Sequence, residues 1–134
     1  MNAEKYFLDF VQANSDIKSK CIYDTSGSCA NVALFINNEW YVANVGDSRA
    51  ILSINRGNII KIMSVDHKPD SKREKSRIMK NGGSIYQSQS EVIWGPYRVL
   101  PGRLSVSRAF GNFEAKWSDL GGNSKVLIAV PEVK

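Results

Sequence analysis

One acid in this chain stands where a metal ion or a phosphate could be held. Asp47 follows Gly46 at the end of an apolar run, Trp40 to Val45, and Ser48-Arg49 come directly after it. A strand holds such a carboxylate rigidly, and the glycine lets the backbone turn sharply beside it. The other reading of Asp47 is an acid that caps the turn at a strand end. Arg49 could clamp a phosphate or pair with Asp47. His67, the one histidine, lies within Asp66-His67-Lys68-Pro69 and could act as a general acid or make a local structural hydrogen bond. No serine occupies a nucleophile elbow, no glycine-rich phosphate loop is present, and no paired carboxylates stand close in sequence. Cys21 and Cys29, with a single histidine, cannot supply the four ligands of a structural zinc. Cys29 sits in an apolar run and is read as a small core residue; no disulfide is expected in a reducing compartment.

Strands and turns must position Asp47. The stretch from Gly27 to Asp47 holds two apolar runs folded back on each other. Cys29 to Ile36 is almost continuously apolar and is expected to be buried on both faces. Asn37-Asn38 is the turn, because asparagine tolerates the left-handed region, and Trp40 to Val45 returns. Arg49 to Ile54 and Ile59 to Val65, joined at Asn55-Arg56-Gly57-Asn58, extend the pattern into an antiparallel meander. Upstream, Ala3, Tyr6, Phe7, Phe10 and Val11 recur on one face of a helix over residues 3 to 13. Downstream, Ser71 and Glu74 have capping-box spacing, and Asn81-Gly82-Gly83 stops a helix over 71 to 81. A strand could begin at Ser84 to Tyr86, Glu91 to Leu100 reads as a loop or irregular β segment, and Leu104 to Val106 resumes alternation. Residues 112 to 123 read as loop, before a last apolar run from Lys125 to Val130.

The length of 134 residues suits one domain, and a 43% apolar content is enough for a core. No run approaches the roughly 18 apolar residues of a membrane span, so no membrane partner is expected. Met1 to Phe10 lacks the basic start of a secretory signal, which points to the cytoplasm or nucleus. The net charge is +5, but the basic residues of 61 to 80 are interspersed with Asp66, Asp70 and Glu74. They are read as a solvated helix face, and no nucleic-acid partner is expected.

Taken together, the motifs resemble the protein phosphatase 2C family of metal-dependent serine/threonine phosphatases. The blocks occur in family order: Gly27-Ser28-Cys29-Ala30, then Ala43-Asn44-Val45-Gly46-Asp47-Ser48-Arg49-Ala50, then Asp66-His67-Lys68-Pro69. Glu74 with Arg77-Ile78 and Gly82-Gly83 follows, and then Arg98 to Phe113. The resemblance is strongest over residues 27 to 116. It implies an α+β fold, an antiparallel β-sandwich flanked by helices. It also implies a phosphoprotein substrate whose phosphoserine or phosphothreonine ester is attacked by water activated on a bridged pair of Mn²⁺ or Mg²⁺ ions. Residue by residue, Asp47, with Gly46 positioning it, is similar to the acid of a peripheral metal site. Arg49, Asp66, Arg108 and Asn112 would lie near the active site, His67 on its side, and Asp119 to Asn123 would belong to a mobile flap.

The departures from the family pattern carry equal weight. The Asp-Gly-His-Gly block and the two downstream Asp blocks that supply the family's main metal ligands do not occur, nor does an identifiable phosphate-binding basic residue near the start. Cys29 replaces a threonine, and Asn112 replaces the acid that usually follows Ala-Phe-Gly. Residues 1 to 134 are therefore expected to be a partial catalytic domain of a phosphatase, inactive alone, or alternatively a non-catalytic pseudophosphatase module. Cut sheet edges and an uncovered apolar face would make the isolated chain self-associate.

Overall fold

The computed structural model describes residues 2–16, 24–90 and 92–134; Cys21 lies outside them. Helix α1 spans Ala3–Ala13, and the Asn2 side chain accepts a hydrogen bond from the Lys5 N–H at 3.3 Å, satisfying one of the free donors of the first turn. Its periodic face is only partly covered: Val11 is buried and Phe7 half-buried, while Tyr6 and Phe10 are exposed. Phe7 packs its ring 5.3 Å from that of Phe113. No described helix is long and apolar enough to cross a membrane.

After the short strand β1 (Gly27–Ser28), the chain forms a tight hairpin of β2 (Ala30–Ile36) and β3 (Glu39–Val45). Pairing runs from Ala30 opposite Val45 to Ile36 opposite Glu39. The two-residue turn places Asn37 at φ 50° and Asn38 at φ 63°, the left-handed pair that matches the twist of a hairpin. The expectation that β2 is buried on both faces fails, since Val32 to Ile36 are all exposed. An unbroken apolar run says which strand can be buried, but not that a second layer covers it. In the hairpin, Phe35 and Trp40 cover each other instead, with ring centres 4.8 Å apart.

The meander breaks after β3. Strands β4 (Ile51–Ile54) and β5 (Ile59–Ile62) form their own two-stranded ribbon and do not pair with β3. The reason lies at Gly46, whose backbone is turned to φ 98° and committed to His67. Helix α2 spans Lys72–Lys80. Ser71 is its N-cap, but neither member of the expected capping box makes the reciprocal bond: the Ser71 side chain makes no capping hydrogen bond, and the Glu74 carboxylate is spent elsewhere.

Strands β6 (Ser84–Gln89) and β7 (Trp94–Leu100) form a second hairpin, irregular between Gln87 and Gln89. Leu104 to Val106 forms no strand; Leu104 makes a single bridge to Val99. Strand β8 (Phe110–Gly111) pairs with β1, residues 112 to 123 wind through two 3₁₀ turns, and β9 (Glu132–Val133) pairs with Ala43 and Asn44 of β3. The architecture is α+β with antiparallel sheets. The core lies between α2 and the β6–β7 hairpin, where Ile78, Val99 and Val126 are fully buried against Ile85 and Leu104. Full burial of one such side chain stabilises by roughly 1.5–3 kcal/mol.

Candidate functional site

The site forms where the end of β3 meets the segment that follows β5. Gly46 donates its N–H to Nδ1 of His67 at 3.1 Å, and the His67 N–H donates to the Gly46 carbonyl at 3.0 Å. Asn44, itself buried, closes the same seam: its Nδ2 donates to the Gly46 and Val65 carbonyls at 3.0 and 2.9 Å, and its Oδ1 accepts from Asn31 at 3.0 Å. A side chain at Gly46 would collide with Cys29 Sγ, so glycine is required here for space as well as for φ.

This seam sets the state of His67. Nδ1 is an acceptor, so the neutral ring carries its proton on Nε2. Burial and the nearby Arg108 both depress its basicity, against the opposing pull of Glu74 and Glu132. Nε2 makes no hydrogen bond among the described residues and lies 3.9 Å from Oε2 of Glu132. The residue is 1% exposed. His67 makes a structural hydrogen bond, and its Nε2 is buried.

Asp47 projects beside the seam, its side chain one-third exposed. Its Oδ2 pairs with the ammonium of Lys68, and Oδ1 accepts from Cys29 Sγ at 3.4 Å. The Lys68 hydrogen bond is the main reason the Asp47 carboxyl lies below its ordinary range, while burial raises the Cys29 thiol. Cys29 is thus half-buried and bonded rather than a bare core residue. Arg49 does not pair with Asp47. It reaches Asp66 with both arms of its guanidinium, Nε to Oδ1 at 3.1 Å and Nη2 to Oδ2 at 2.7 Å. The nearest acid in sequence is not the nearest in space, because the turn at Gly46 sends the chain toward the 65–68 segment.

Arg108 belongs to a buried ion cluster. Glu74, 3% exposed, accepts from Arg108 Nη2 at 2.7 Å, from Arg77 Nη2 at 2.7 Å and from Ser107 Oγ at 2.7 Å. Burial alone would raise this carboxyl, but the bonds from Arg108, Arg77 and Ser107 outweigh it and bring the pKa down to about 2. Ser107 ties the cluster to the seam, because its N–H donates to the His67 carbonyl at 2.9 Å while its hydroxyl proton goes to Glu74. Asn112 is bonded elsewhere. Held at φ 51°, it donates its N–H to the Ser26 carbonyl at 2.8 Å and its Nδ2 to the Thr25 carbonyl at 3.2 Å, anchoring the chain beside β1.

Gly46, Asp47, Asp66, His67 and Arg49 therefore meet at one seam, Arg108 reaches it through Glu74 and Ser107, and Asn112 takes no part in those bonds. Sequence alone assigns no site role to Lys68, Glu74, Ser107 or Glu132. The first three lie within the blocks that carry the family resemblance, which was the available signal; Glu132 lies outside every block and had none.

The seam does not supply a metal centre. Among the described residues, no group of three or more His, Cys, Asp or Glu side chains could hold a metal ion. The carboxylate best placed to bind one, Asp47, already has an ammonium group as partner. The residues present do not fit a bridged pair of divalent cations.

Known proteins give this geometry its context. The sequence matches the family described as protein phosphatase 2C over residues 4–134. It is 44% identical over 110 residues to probable protein phosphatase 2C 4 of Paramecium tetraurelia, covering 81% of this chain and 33% of that protein. It is 37% identical over 133 residues to protein phosphatase 2C homolog 3 of Schizosaccharomyces pombe, covering 99% of this chain and 27% of that one. The fold superposes on the crystal structure of serine-threonine phosphatase 2C from Toxoplasma gondii with a TM-score of 0.73 at 26% identity, covering 99% of this chain and 42% of that chain. The chain spans about a third of the length of the curated relatives it matches. Over the residues it does span, the chain belongs to the protein phosphatase 2C family.

Proposed function

We propose that these residues are part of a metal-dependent protein serine/threonine phosphatase, acting as a whole on phosphoserine and phosphothreonine esters of proteins. The match to protein phosphatase 2C over residues 4–134 carries this reading. In it, the ligands of a Mn²⁺ or Mg²⁺ pair come from outside these 134 residues, and the chain by itself is inactive. The support for that part is the engagement of Asp47 by Lys68 and the missing ligand blocks. The role of this chain is then to hold the Gly46–His67 seam and present Asp47 at its edge.

The test has two arms. The full-length gene product should release phosphate from a phosphothreonine peptide in Mn²⁺ and lose that activity in chelator; persistent activity in chelator overturns the metal-dependent reading. The isolated chain should show no turnover, and calorimetry should find weak Mn²⁺ binding that is lost in Asp47→Ala, or none. Turnover at the rates of ordinary enzymes, on the order of 1–10³ s⁻¹, or tight binding of a metal pair, overturns the claim that the chain alone is inactive. The Asp47–Lys68 pair also favours a second reading, a non-catalytic pseudophosphatase module. In that case the full-length product binds the phosphopeptide and leaves it intact.

A further inference from the structure

Two clefts of about 840 and 690 Å³ adjoin and share Lys80 and Asn81. Their cations are Lys72, Arg73, Arg77, Lys80, Lys116 and Lys125, and Glu4 is the one acid among the described residues that line them. These cations are not equivalent. Arg77 is committed to Glu74, Arg73 to Glu132, and the buried Lys116 to Glu4. Lys72, Lys80 and Lys125 are exposed, and among the described residues no carboxylate pairs with them. Three unpaired ammonium groups therefore stand along one groove.

The groove is also built in advance of any ligand. Arg77 Nη1 donates to the carbonyls of Lys125 and Val126, both at 2.8 Å, and Asn123 Nδ2 donates to the Asn81 carbonyl at 3.0 Å. These bonds fix the backbone that carries Lys125 against the end of α2 that carries Lys80. An anion docking between the two would not have to order the loop first, so the entropic cost of binding is reduced. Leu8, Phe113 and Trp117 line the wall of the larger cleft, which adds an apolar recess beside the charges.

We infer that this groove docks an acidic segment of a protein partner, with carboxylate or phosphoryl groups meeting Lys72, Lys80 and Lys125 and an apolar side chain entering the recess by Leu8 and Trp117. Charge complementarity selects the acidic chain. The concave shape selects a peptide, because a nucleic-acid duplex presents its phosphates on a convex surface and cannot bring them into a recess. The proposal goes beyond the phosphatase reading and does not depend on it, since binding is measured without turnover.

The experiment is fluorescence anisotropy of a labelled peptide of Asp, Glu and a single Phe, titrated with the full 134-residue chain. The double variant Lys80→Glu/Lys125→Glu should weaken binding at least about tenfold, as expected for losing two charge pairs and gaining repulsion. Arg56→Glu/Lys61→Glu changes the net charge equally on the exposed β4–β5 ribbon and should stay within about twofold of the unchanged chain. Equal loss in both variants, or no binding at all, overturns the proposal. So does tighter binding of single-stranded RNA or of phosphatidylserine vesicles than of the peptide. Far-ultraviolet dichroism confirms that the variants keep their fold, since the side chains of both pairs are exposed.

Discussion

Replacing Glu74 by glutamine removes one charge from a cluster in which two guanidinium groups depend on it. In the native chain the carboxylate accepts from Arg108, Arg77 and Ser107 at 2.7 Å each, and the Glu74 and Arg108 side chains are only 5% and 11% exposed. The pKa held at about 2, against 4.5 for a free glutamate, is a difference of about 2.5 units, on the order of 3 kcal/mol of stability at neutral pH. Losing one partner of a buried pair also leaves Arg108 uncompensated, which independently places the cost at roughly 3–5 kcal/mol. The sign follows from linkage: a depressed carboxyl stabilises above its unfolded pKa, and that contribution is lost as pH falls from about 4.5 toward about 2. Urea unfolding followed by tryptophan fluorescence, at low protein concentration, should show Glu74→Gln less stable by about 3 kcal/mol at pH 7. The gap between the two proteins should narrow as pH falls through that window. A gap below about 1 kcal/mol at pH 7, typical of an exposed ion pair, or one that does not change with pH, would refute the reasoning.

Ile78→Ala should cost about 2–5 kcal/mol because Ile78 is fully buried, whereas Met79→Ala, at a side chain 55% exposed, should stay within about 0.5 kcal/mol in the same titration. Gly46→Ala combines positive φ with a collision at Cys29 Sγ and should destabilise by more than about 2 kcal/mol, partly restored by adding Cys29→Ala. Gly57→Ala, at a similar φ of 91° but with open space around it, should cost only about 1 kcal/mol; equal losses at the two glycines would show that space at Gly46 is not the issue. Sedimentation velocity should show the mass rising with concentration, because Phe35, Ile36, Ile60 and Ile62 are exposed on short strands, and Ile60→Lys should reduce the effect. A monomer at every concentration would end that expectation.

Sequence disclosed the local structure better than the assembly. Helix α1 was legible because its apolar positions repeat at helical spacing, and the β2–β3 hairpin because two consecutive asparagines can both take positive φ. Burial of β2 was not legible, since an apolar strand looks the same whether or not a second layer covers it. At the site, Asp47 and His67 stood out singly. Their meeting across the seam depends on a backbone exchange at Gly46 that no local pattern encodes, and only the order of the family blocks hinted at it. Glu74 shows the limit most clearly. Its spacing from Ser71 fits a cap, yet Arg108 and Ser107, distant in sequence, claim the carboxylate once the chain is folded.

Arg77 sends a single side chain to carbonyls at Ser107, Lys125 and Val126 while its carbon backbone stays in α2. Three segments far apart along the chain therefore share one donor and cannot fray independently. Their amide protons should exchange with solvent as one cooperative unit, with α2 opening only when the 107 and 125–126 segments open too. The tether from Arg77 thus adds to α2 a hold that its N-cap Ser71, whose side chain makes no capping hydrogen bond, does not supply.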